Sequence, residues 1–210
     1  MRKNMQRAAC PVMSVAMGRA VATAVGTAVM LTIFLFAAAQ PAGAQSTFDA
    51  GAGYTYIHTN APAGNCGCFA MNGANGWLGF HLGHGIALVG ELAVQHAGNI
   101  ANTGADLTLT SFVAGPRYTS HAFGRLQPFA QVLIGGAHAS GGLSPGSSGL
   151  GSSTGFAAIA GGGLEFKLSE SVALRAIEAD YYYTRFNNGT NDHQNNLRIG
   201  AGLLFRFGSR

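Results

Sequence analysis

The sequence predicts an all-β fold, an eight-stranded antiparallel up-and-down transmembrane β-barrel. In the last predicted strand, residues 196–207, apolar side chains occupy one parity, while asparagine, arginine and glycine occupy nearly all of the other. Seven further segments alternate in a similar way, and short and long connections alternate between them. An apolar outside around a polar inside, with connections of unequal length, is the pattern of a membrane β-barrel.

Residues 1–44 are predicted to be a cleaved signal peptide that precedes the barrel domain, residues 45–210. Basic residues come before an uncharged apolar run at 21–39, and small residues at 42–44 offer a signal-peptidase site. The alternative is a retained membrane helix, because the apolar run approaches the roughly 20 residues that a helical span requires. No stop-transfer cluster of charges follows the run, so the sequence favours cleavage.

Removing the predicted signal peptide leaves a chain that is formally neutral. Four of the 12 Lys and Arg residues and none of the 8 Asp and Glu residues lie in it, so eight of each remain. The net charge of +4 of the full chain is therefore no argument for a nucleic-acid partner. The remaining 166 of the 210 residues suit one domain.

In each of the first two predicted strands, residues 47–59 and 76–82, one parity is more uniformly apolar than the other. Asp49 lies among glycines on the opposite parity of the first strand. Trp77 and His81 lie on the opposite parity of the second. We expect the apolar parity to face outward, which turns Asp49, Trp77 and His81 inward.

The third and fourth predicted strands, residues 87–96 and 107–118, each place one charge in the interior. Glu91 lies opposite the leucines of the third strand, and Arg117 lies opposite the aromatic residues of the fourth. Pro116 cannot donate a ladder hydrogen bond, so we expect it near the end of its strand or at a bulge.

The fifth and sixth predicted strands, residues 127–137 and 156–167, differ in how clearly they alternate. The fifth has two less distinct faces, whereas the sixth alternates throughout and puts Glu165 and Lys167 on one parity. The segment 138–154 between them is rich in serine and glycine and is predicted to be a loop.

The parity of the seventh predicted strand, residues 172–186, breaks near its start. Arg175 lies on the parity of the apolar side chains, while Glu178 and Asp180 lie on the opposite one. Either Arg175 reaches the membrane edge from an outward position, or a bulge shifts the register.

The eighth strand carries Arg198 and Arg206 on its inward parity, and only Leu204 departs from the pattern. Eight strands place both termini on the rim that holds the short turns. The short connections are predicted at 83–86, 119–126 and 168–171, and the long ones at 60–75, 97–106, 138–154 and 187–195.

Cys66 and Cys68 form a Cys-Gly-Cys sequence in the first long loop. A local disulfide would close a strained ring across one residue. Free or intermolecular thiols are a second interpretation. A metal site is a third, but it would need further ligands, and the nearest histidine by sequence is His58.

Short sequences across the chain carry a resemblance to a known family. They are G-W at Gly76-Trp77, G-P-R-Y at 115–118, G-G-G-L-E-F at 161–166, D-Y at Asp180-Tyr181 and the last strand. With them, the chain resembles the small bacterial outer-membrane barrels of the OmpA and OmpX type over essentially all of its mature length. The resemblance implies an architecture more than an activity, because such barrels serve as anchors, adhesins, resistance factors and occasionally lipid-modifying enzymes.

The resemblance implies a location in the bacterial outer membrane, with short periplasmic turns and long extracellular loops. The implied partners are outer-membrane lipids and, during biogenesis, the barrel-assembly machinery, and the implied state is a monomer. The last strand is similar to the signal that this machinery reads, with Gly202, Phe205 and Phe207 at its glycine, hydrophobic and aromatic positions. It departs from many members of the family in continuing for three residues, 208–210, past the last aromatic residue.

The candidate functional residues are the charged side chains that the parity places inside the barrel. An eight-stranded barrel is just wide enough for side chains to fill, and confined charges are costly unless they are paired. We predict a salt-bridge network that closes the lumen, with a proton or ion path through it as the alternative. The predicted members are Asp49, Glu91, Arg117, Glu165, Lys167, Glu178, Asp180, Arg198 and Arg206.

No catalytic, cofactor-binding or metal-binding residue is predicted, because the sequence contains no H-E-x-x-H and its histidines and serines lie mostly in predicted loops. We expect a non-enzymatic barrel whose long loops make surface or adhesive contacts. One alternative is a lipid-modifying enzyme that uses His81 and Glu91 on neighbouring strands. The other is a soluble, lipocalin-like barrel that binds a small apolar ligand, which requires the apolar residues of the last strand to point inward.

Overall fold

A computed structural model of the chain describes residues 48–59, 69–100, 105–141, 151–186 and 193–208. These residues form a closed barrel in which each strand pairs antiparallel with its neighbours in sequence, so the predicted fold class is confirmed. The predicted signal peptide and the Cys-Gly-Cys sequence lie outside the described residues. The strands are β1 (Phe48–Thr59), β2 (Phe69–Gly83), β3 (Ile86–Ile100), β4 (Ala105–Thr119), β5 (Leu126–Gly141), β6 (Gly151–Lys167), β7 (Val172–Arg185) and β8 (Gln194–Phe207).

The pairing of β8 with β1 closes the barrel. Phe48 pairs with Phe207, and the register continues without a shift to His58 and Leu197. Closure gives the first and last strands partners for their backbone groups, which an open sheet edge in a membrane would leave unpaired. Within the described ranges, no helix is long and apolar enough to cross a membrane.

The two parities of each strand face different surroundings. On β8, Leu203 and Phe205 are 44% and 45% exposed on the outside, while Arg198 is 1% exposed on the inside. The lipocalin-like alternative required the reverse arrangement and is therefore wrong. Leu204, which departs from the polar parity of β8, also lies inside and is buried.

Most strands are longer than the sequence analysis predicted. β2 begins at Phe69, and β5 and β6 extend into both ends of the segment 138–154, which the sequence predicts to be a loop. In these extensions the polarity of the two faces is reversed. Ala137 and Ala139 lie inside and are buried, while His138 between them is exposed on the outside. A strand with polar residues outside and apolar residues inside resembles that of a soluble barrel, as expected where strands project beyond the hydrocarbon layer.

A β-bulge in β7 explains the broken parity around Arg175. The pairing with β6 passes from Leu164–Ile177 directly to Glu165–Arg175, so one extra residue of β7 is accommodated there. The extra residue moves Arg175 to the inner face, where it is 1% exposed. Of the two interpretations of the sequence, the bulge is therefore the correct one.

Pro116 lies near the end of β4, as expected. It pairs with Leu88 of β3, whereas the pairing with β5 passes from Ala114 directly to Arg117. The missing N–H of proline is tolerated because the ladder with β5 is interrupted at that point.

Candidate functional site: the charged lumen

Arg198 lies at the centre of the network of charges inside the barrel. Its Nη2 donates to Asp180 Oδ2 at 2.7 Å and to Glu178 Oε1 at 2.8 Å, and its Nε donates to Asp180 Oδ2 at 3.0 Å. Its Nη1 donates to Glu91 across the lumen. One guanidinium therefore joins three carboxylates from β3 and β7, which fixes the positions of these strands around β8.

Arg175 continues the network towards the rim of the short turns. Its Nη1 donates to Glu178 Oε2 at 2.6 Å, and its Nη2 donates to Glu165 Oε1 at 2.9 Å. Glu178 therefore bridges Arg175 and Arg198. The guanidinium also lies 3.8 Å from the centre of the Trp77 ring and 4.5 Å from that of Phe129. The hydrogen bonds of the guanidinium form at its edges, and the two aromatic rings stack on its faces.

Arg117 joins the network through an amide. Its Nε and Nη2 donate to Gln131 Oε1 at 3.0 and 2.7 Å, and Gln131 Nε2 donates to Glu178 Oε1 at 3.0 Å. Arg117 is buried and forms no ion pair with a carboxylate among the described residues. Gln131 thus connects Arg117 to Glu178, which form no ion pair with each other.

Three further groups surround the short-turn end of the lumen. Arg206 donates to Gln127 Oε1 at 2.5 Å and to Glu165 Oε2 at 3.3 Å. Asp49 Oδ2 and His81 Nε2 share a hydrogen bond of 2.8 Å. Lys167 lies at the rim and pairs with Glu170 of the following turn at 2.7 Å.

The predicted lumen residues therefore fall into three groups in the structure. Glu91, Glu165, Glu178, Asp180, Arg198 and Arg206 are joined by ion pairs. Arg117 and Asp49 lie in the same interior beside Gln131 and His81, and Lys167 lies apart at the rim. The sequence pattern does not predict Arg175 as a member of the network, because its inward position depends on the bulge. Nor does it predict the uncharged members Asn75, Gln127 and Gln131.

Inward glycines create the space that these long side chains occupy. A Cβ atom at Gly51 would overlap the indole of Trp77, and one at Gly79 would overlap the carboxylate of Asp49. A Cβ atom at Gly161 would overlap Asp180 in the same way. The glycines on the inner parity thus determine where Trp77 and two of the carboxylates can lie.

The lumen near the long loops is filled by apolar side chains. We call this layer the loop-end core. All of its members belong to one buried cluster or pack against it. They are Ile57, Phe69, Met71, Ala97, Ile100, Leu107, Leu109, Ala137, Ala139 and Phe186. The interior therefore has two layers, of which only the one nearer the short turns is charged.

The residues considered for catalysis are not brought together. In the strand register, Glu91 of β3 lies opposite Trp77 of β2, which is four residues from His81. The carboxylate of Glu91 is bonded to Arg198 and to Asn75. His81 is bonded to Asp49 instead. Both side chains face inward, so they form no site that opens to lipid. In the part of the chain that the structure describes, no group of three or more potential ligands could hold a metal ion.

The three residues of the predicted assembly signal lie at the closing seam of the barrel. Gly202 faces inward, and a Cβ atom there would lie 3.0 Å from the indole of Trp77. Phe205 and Phe207 face outward, and the Phe207 ring lies 5.7 Å from that of Phe48. Recognition by the assembly machinery stays a prediction.

Comparisons with known proteins agree with this architecture. The family described as "Outer membrane protein beta-barrel domain" matches residues 27–205. The fold is similar to that of Ail, the attachment invasion locus protein of Yersinia pestis, at 19% identity and a TM-score of 0.56. It is also similar to Neisserial surface protein A, at 15% identity and a TM-score of 0.60.

In both cases the match covers 78% of this chain and 100% of the other. At these identities the likeness shows a shared fold. No curated protein matches the chain in sequence. The family match spans most of the chain, and the structure has the closed barrel with an apolar exterior that this family requires. The chain therefore belongs to the outer membrane protein β-barrel domain family and is a bacterial outer-membrane protein.

Proposed function

We propose that this protein is a non-enzymatic outer-membrane barrel with a closed lumen, whose long loops make contacts at the cell surface. The observation that carries the closed lumen is the burial of its charges. Arg175 and Arg198 are each 1% exposed and are held by carboxylates on several strands. An ion that entered the lumen would have to displace these partners.

The energetics favour a permanent closure. Removing one partner of a buried ion pair costs on the order of 3 to 5 kcal/mol, because the other charge is left without compensation. Several ion pairs of the network would also have to break before an ion could pass through the lumen. The loop-end core adds a layer of apolar side chains, which offer a permeating ion no ligands.

Conductance across a planar bilayer tests the closed lumen. We expect the purified, folded barrel to give no steady single-channel current. A large porin in the same bilayer serves as the positive control. A reproducible conductance of the wild-type protein that disappears on heat denaturation would contradict the proposal.

Surface contacts are proposed for the four long connections, which the up-and-down order places on one rim. These connections include residues 60–68, 101–104, 142–150 and 187–192, which lie outside the described residues. Support comes from the names of two proteins with the same fold, an attachment invasion locus protein and a surface protein.

Replacing each long connection in turn by a short glycine-asparagine turn tests this proposal. We expect at least one replacement to reduce the attachment of intact cells to host-cell or matrix surfaces. Heat-modifiable migration on a gel provides the control that the barrel itself is folded. Unchanged attachment after all four replacements would contradict a role of the loops.

A further inference from the structure

The outer surface of the barrel changes from apolar to polar at a similar position on all eight strands. Towards the long loops, the outward apolar or aromatic residues of each strand end at one polar residue. We call these residues the polar collar. They are His58, Asn72, His96, Thr110, His138, Thr154, Arg185 and Asn195.

The collar lies at the level of the lipid head groups. The apolar band below it faces the hydrocarbon layer, as the exposed Leu92, Phe112 and Phe156 show. Tyr54 and Tyr181 lie at the border, and their hydroxyls donate to Asn72 and Asn195 at 2.5 Å. Tyrosines with an apolar ring and a bonded hydroxyl are typical of the interface between hydrocarbon and head groups.

One part of the collar, on β5 to β7, combines basic side chains with hydroxyls. His138 pairs with Thr154 across β5 and β6, and Ser140 pairs with Ser152 one step nearer the loops. Arg185 of β7 pairs with Phe156, the outward neighbour of Thr154 on β6. All five polar side chains are exposed on the outer face. We call Ser140, His138, Ser152, Thr154 and Arg185 the β5–β7 patch.

The charge of the patch suits an anion. Arg185 forms no ion pair with any residue in the described part of the chain. Within these same ranges, no acidic side chain lies on the outer face of β5, β6 or β7 at this level. His96, by contrast, lies near Asp106, since a Cβ atom at Gly98 would be 3.7 Å from His96 Nε2 and 3.4 Å from Asp106 Oδ1. The β5–β7 patch therefore combines basic side chains with an outer face on which the described residues include no acidic side chain, and this charge favours a phosphate.

The geometry of the patch also suits a phosphate. A hydrogen bond of 2.8 Å between His138 Nδ1 and Thr154 Oγ1 orients the imidazole and leaves Nε2 at the opposite edge of the ring. The guanidinium of Arg185 offers a fork of donors that matches phosphate oxygens. Phe156, directly below, continues into the apolar band and would contact an acyl chain attached to the same head group.

We propose that the β5–β7 patch binds the phosphate of an outer-leaflet lipid, with Arg185 and His138 as the principal contacts. The occupant is a lipid because the patch is continuous with the surface that faces the membrane. This site lies outside the barrel, so the proposal is independent of whether the lumen conducts.

Native mass spectrometry of the full barrel, purified from outer membranes in a neutral detergent, tests this proposal. The probes are a diphosphorylated, acylated diglucosamine lipid and the same lipid after removal of its phosphates. We expect the wild-type protein to prefer the phosphorylated lipid. Arg185→Gln should reduce this preference about fivefold, the effect of roughly 1 kcal/mol per basic residue near an anionic surface. The double variant H138Q/R185Q should reduce it further.

Matched controls separate a site from a general loss of charge. H121Q/R125Q makes the same two changes at the opposite rim and should keep the preference. Arg185→Lys retains the charge and should keep most of it. Heat-modifiable migration shows whether each variant is folded, and Arg185→Gln alone, at an exposed position, provides the test if the double variant does not fold.

Two results would overturn the proposal. The first is an equal preference for the phosphorylated lipid in the wild type and in H138Q/R185Q, or no preference in either. The second is displacement of the lipid by a modest excess of inorganic phosphate, which would assign the patch to a free anion rather than to a lipid.

Discussion

Arg198 on β8 and Glu91 on β3 form an ion pair across the lumen. The two residues are 107 positions apart in sequence, and their ion pair is the longest-range contact in the charged network. Because Arg198 also binds Glu178 and Asp180 on β7, a single side chain connects three strands of the barrel wall. The network therefore contributes to the closure of the barrel as well as to the filling of its lumen.

Arg198→Met should destabilise the barrel more than Glu91→Gln. The first change leaves three carboxylates without their shared partner and should cost about 3 to 5 kcal/mol. The second leaves Arg198 with two carboxylates and a hydrogen-bonding amide, so we expect a loss nearer 1 to 3 kcal/mol. Urea unfolding in a lipid bilayer, followed by gel migration, measures both. A larger effect of Glu91→Gln would argue against Arg198 as the centre of the network.

Gly51→Leu should displace Trp77 from Arg175. The new side chain would occupy the space of the indole, and such overpacking costs typically 1 to 3 kcal/mol. Trp77 is the only tryptophan of the chain, so its fluorescence reports the change directly. Gly90→Leu is the matched control, because a Cβ atom at Gly90 meets nothing within 4 Å. Similar spectra and stabilities for the two variants would contradict the assigned role of Gly51.

Leu203→Arg should prevent or strongly impair insertion into the membrane. Leu203 is 44% exposed on the outer face, and a charge on the lipid face near the midplane costs roughly 2 to 4 kcal/mol. Phe123→Arg, in the short connection between β4 and β5, is the control and should have little effect. The amount of folded barrel in outer membranes measures the difference, and equal amounts of the two variants would argue against a lipid-facing Leu203.

Phe207→Ala should slow assembly in cells more than folding in detergent. In cells the change removes the aromatic position of the predicted assembly signal. In detergent it removes only the contact with Phe48, for which we expect a loss of about 1 kcal/mol. Pulse-chase labelling and refolding kinetics measure the two effects. Equal slowing in both systems would assign Phe207 to folding stability alone.

The sequence predicts the barrel because successive side chains of each strand face two different environments, the lipid and the barrel interior. Lipid outside and confined charges inside produce a strict alternation through the hydrocarbon layer, as in the residues around Arg198. Above that layer, polar side chains no longer mark the inner face of a strand. There His138 faces outward and Ala137 and Ala139 face inward. The alternation therefore continues with the opposite polarity, and the sequence of small residues resembles that of a loop.

The limits of prediction for the site have two physical causes. A bulge changes parity by one residue, and the sequence near Arg175 does not specify on which side of Ile177 the extra residue is absorbed. Amide side chains such as Gln131 carry no charge, so charge pairing cannot identify them, although Gln131 connects Arg117 to Glu178. Both features became evident only from the register and the contacts.

The central claim is that alternate residues of each strand face lipid and a closed interior. A scan of spin labels along residues 197–207 of β8, in a cysteine-free background and a lipid bilayer, tests it most directly. We predict high collision rates with oxygen at 197, 199, 201, 203 and 205, and low collision rates with both oxygen and a water-soluble nickel complex at the positions between them. Lipid contact at the arginine positions, or strong nickel collisions along the whole inner parity, would contradict the account.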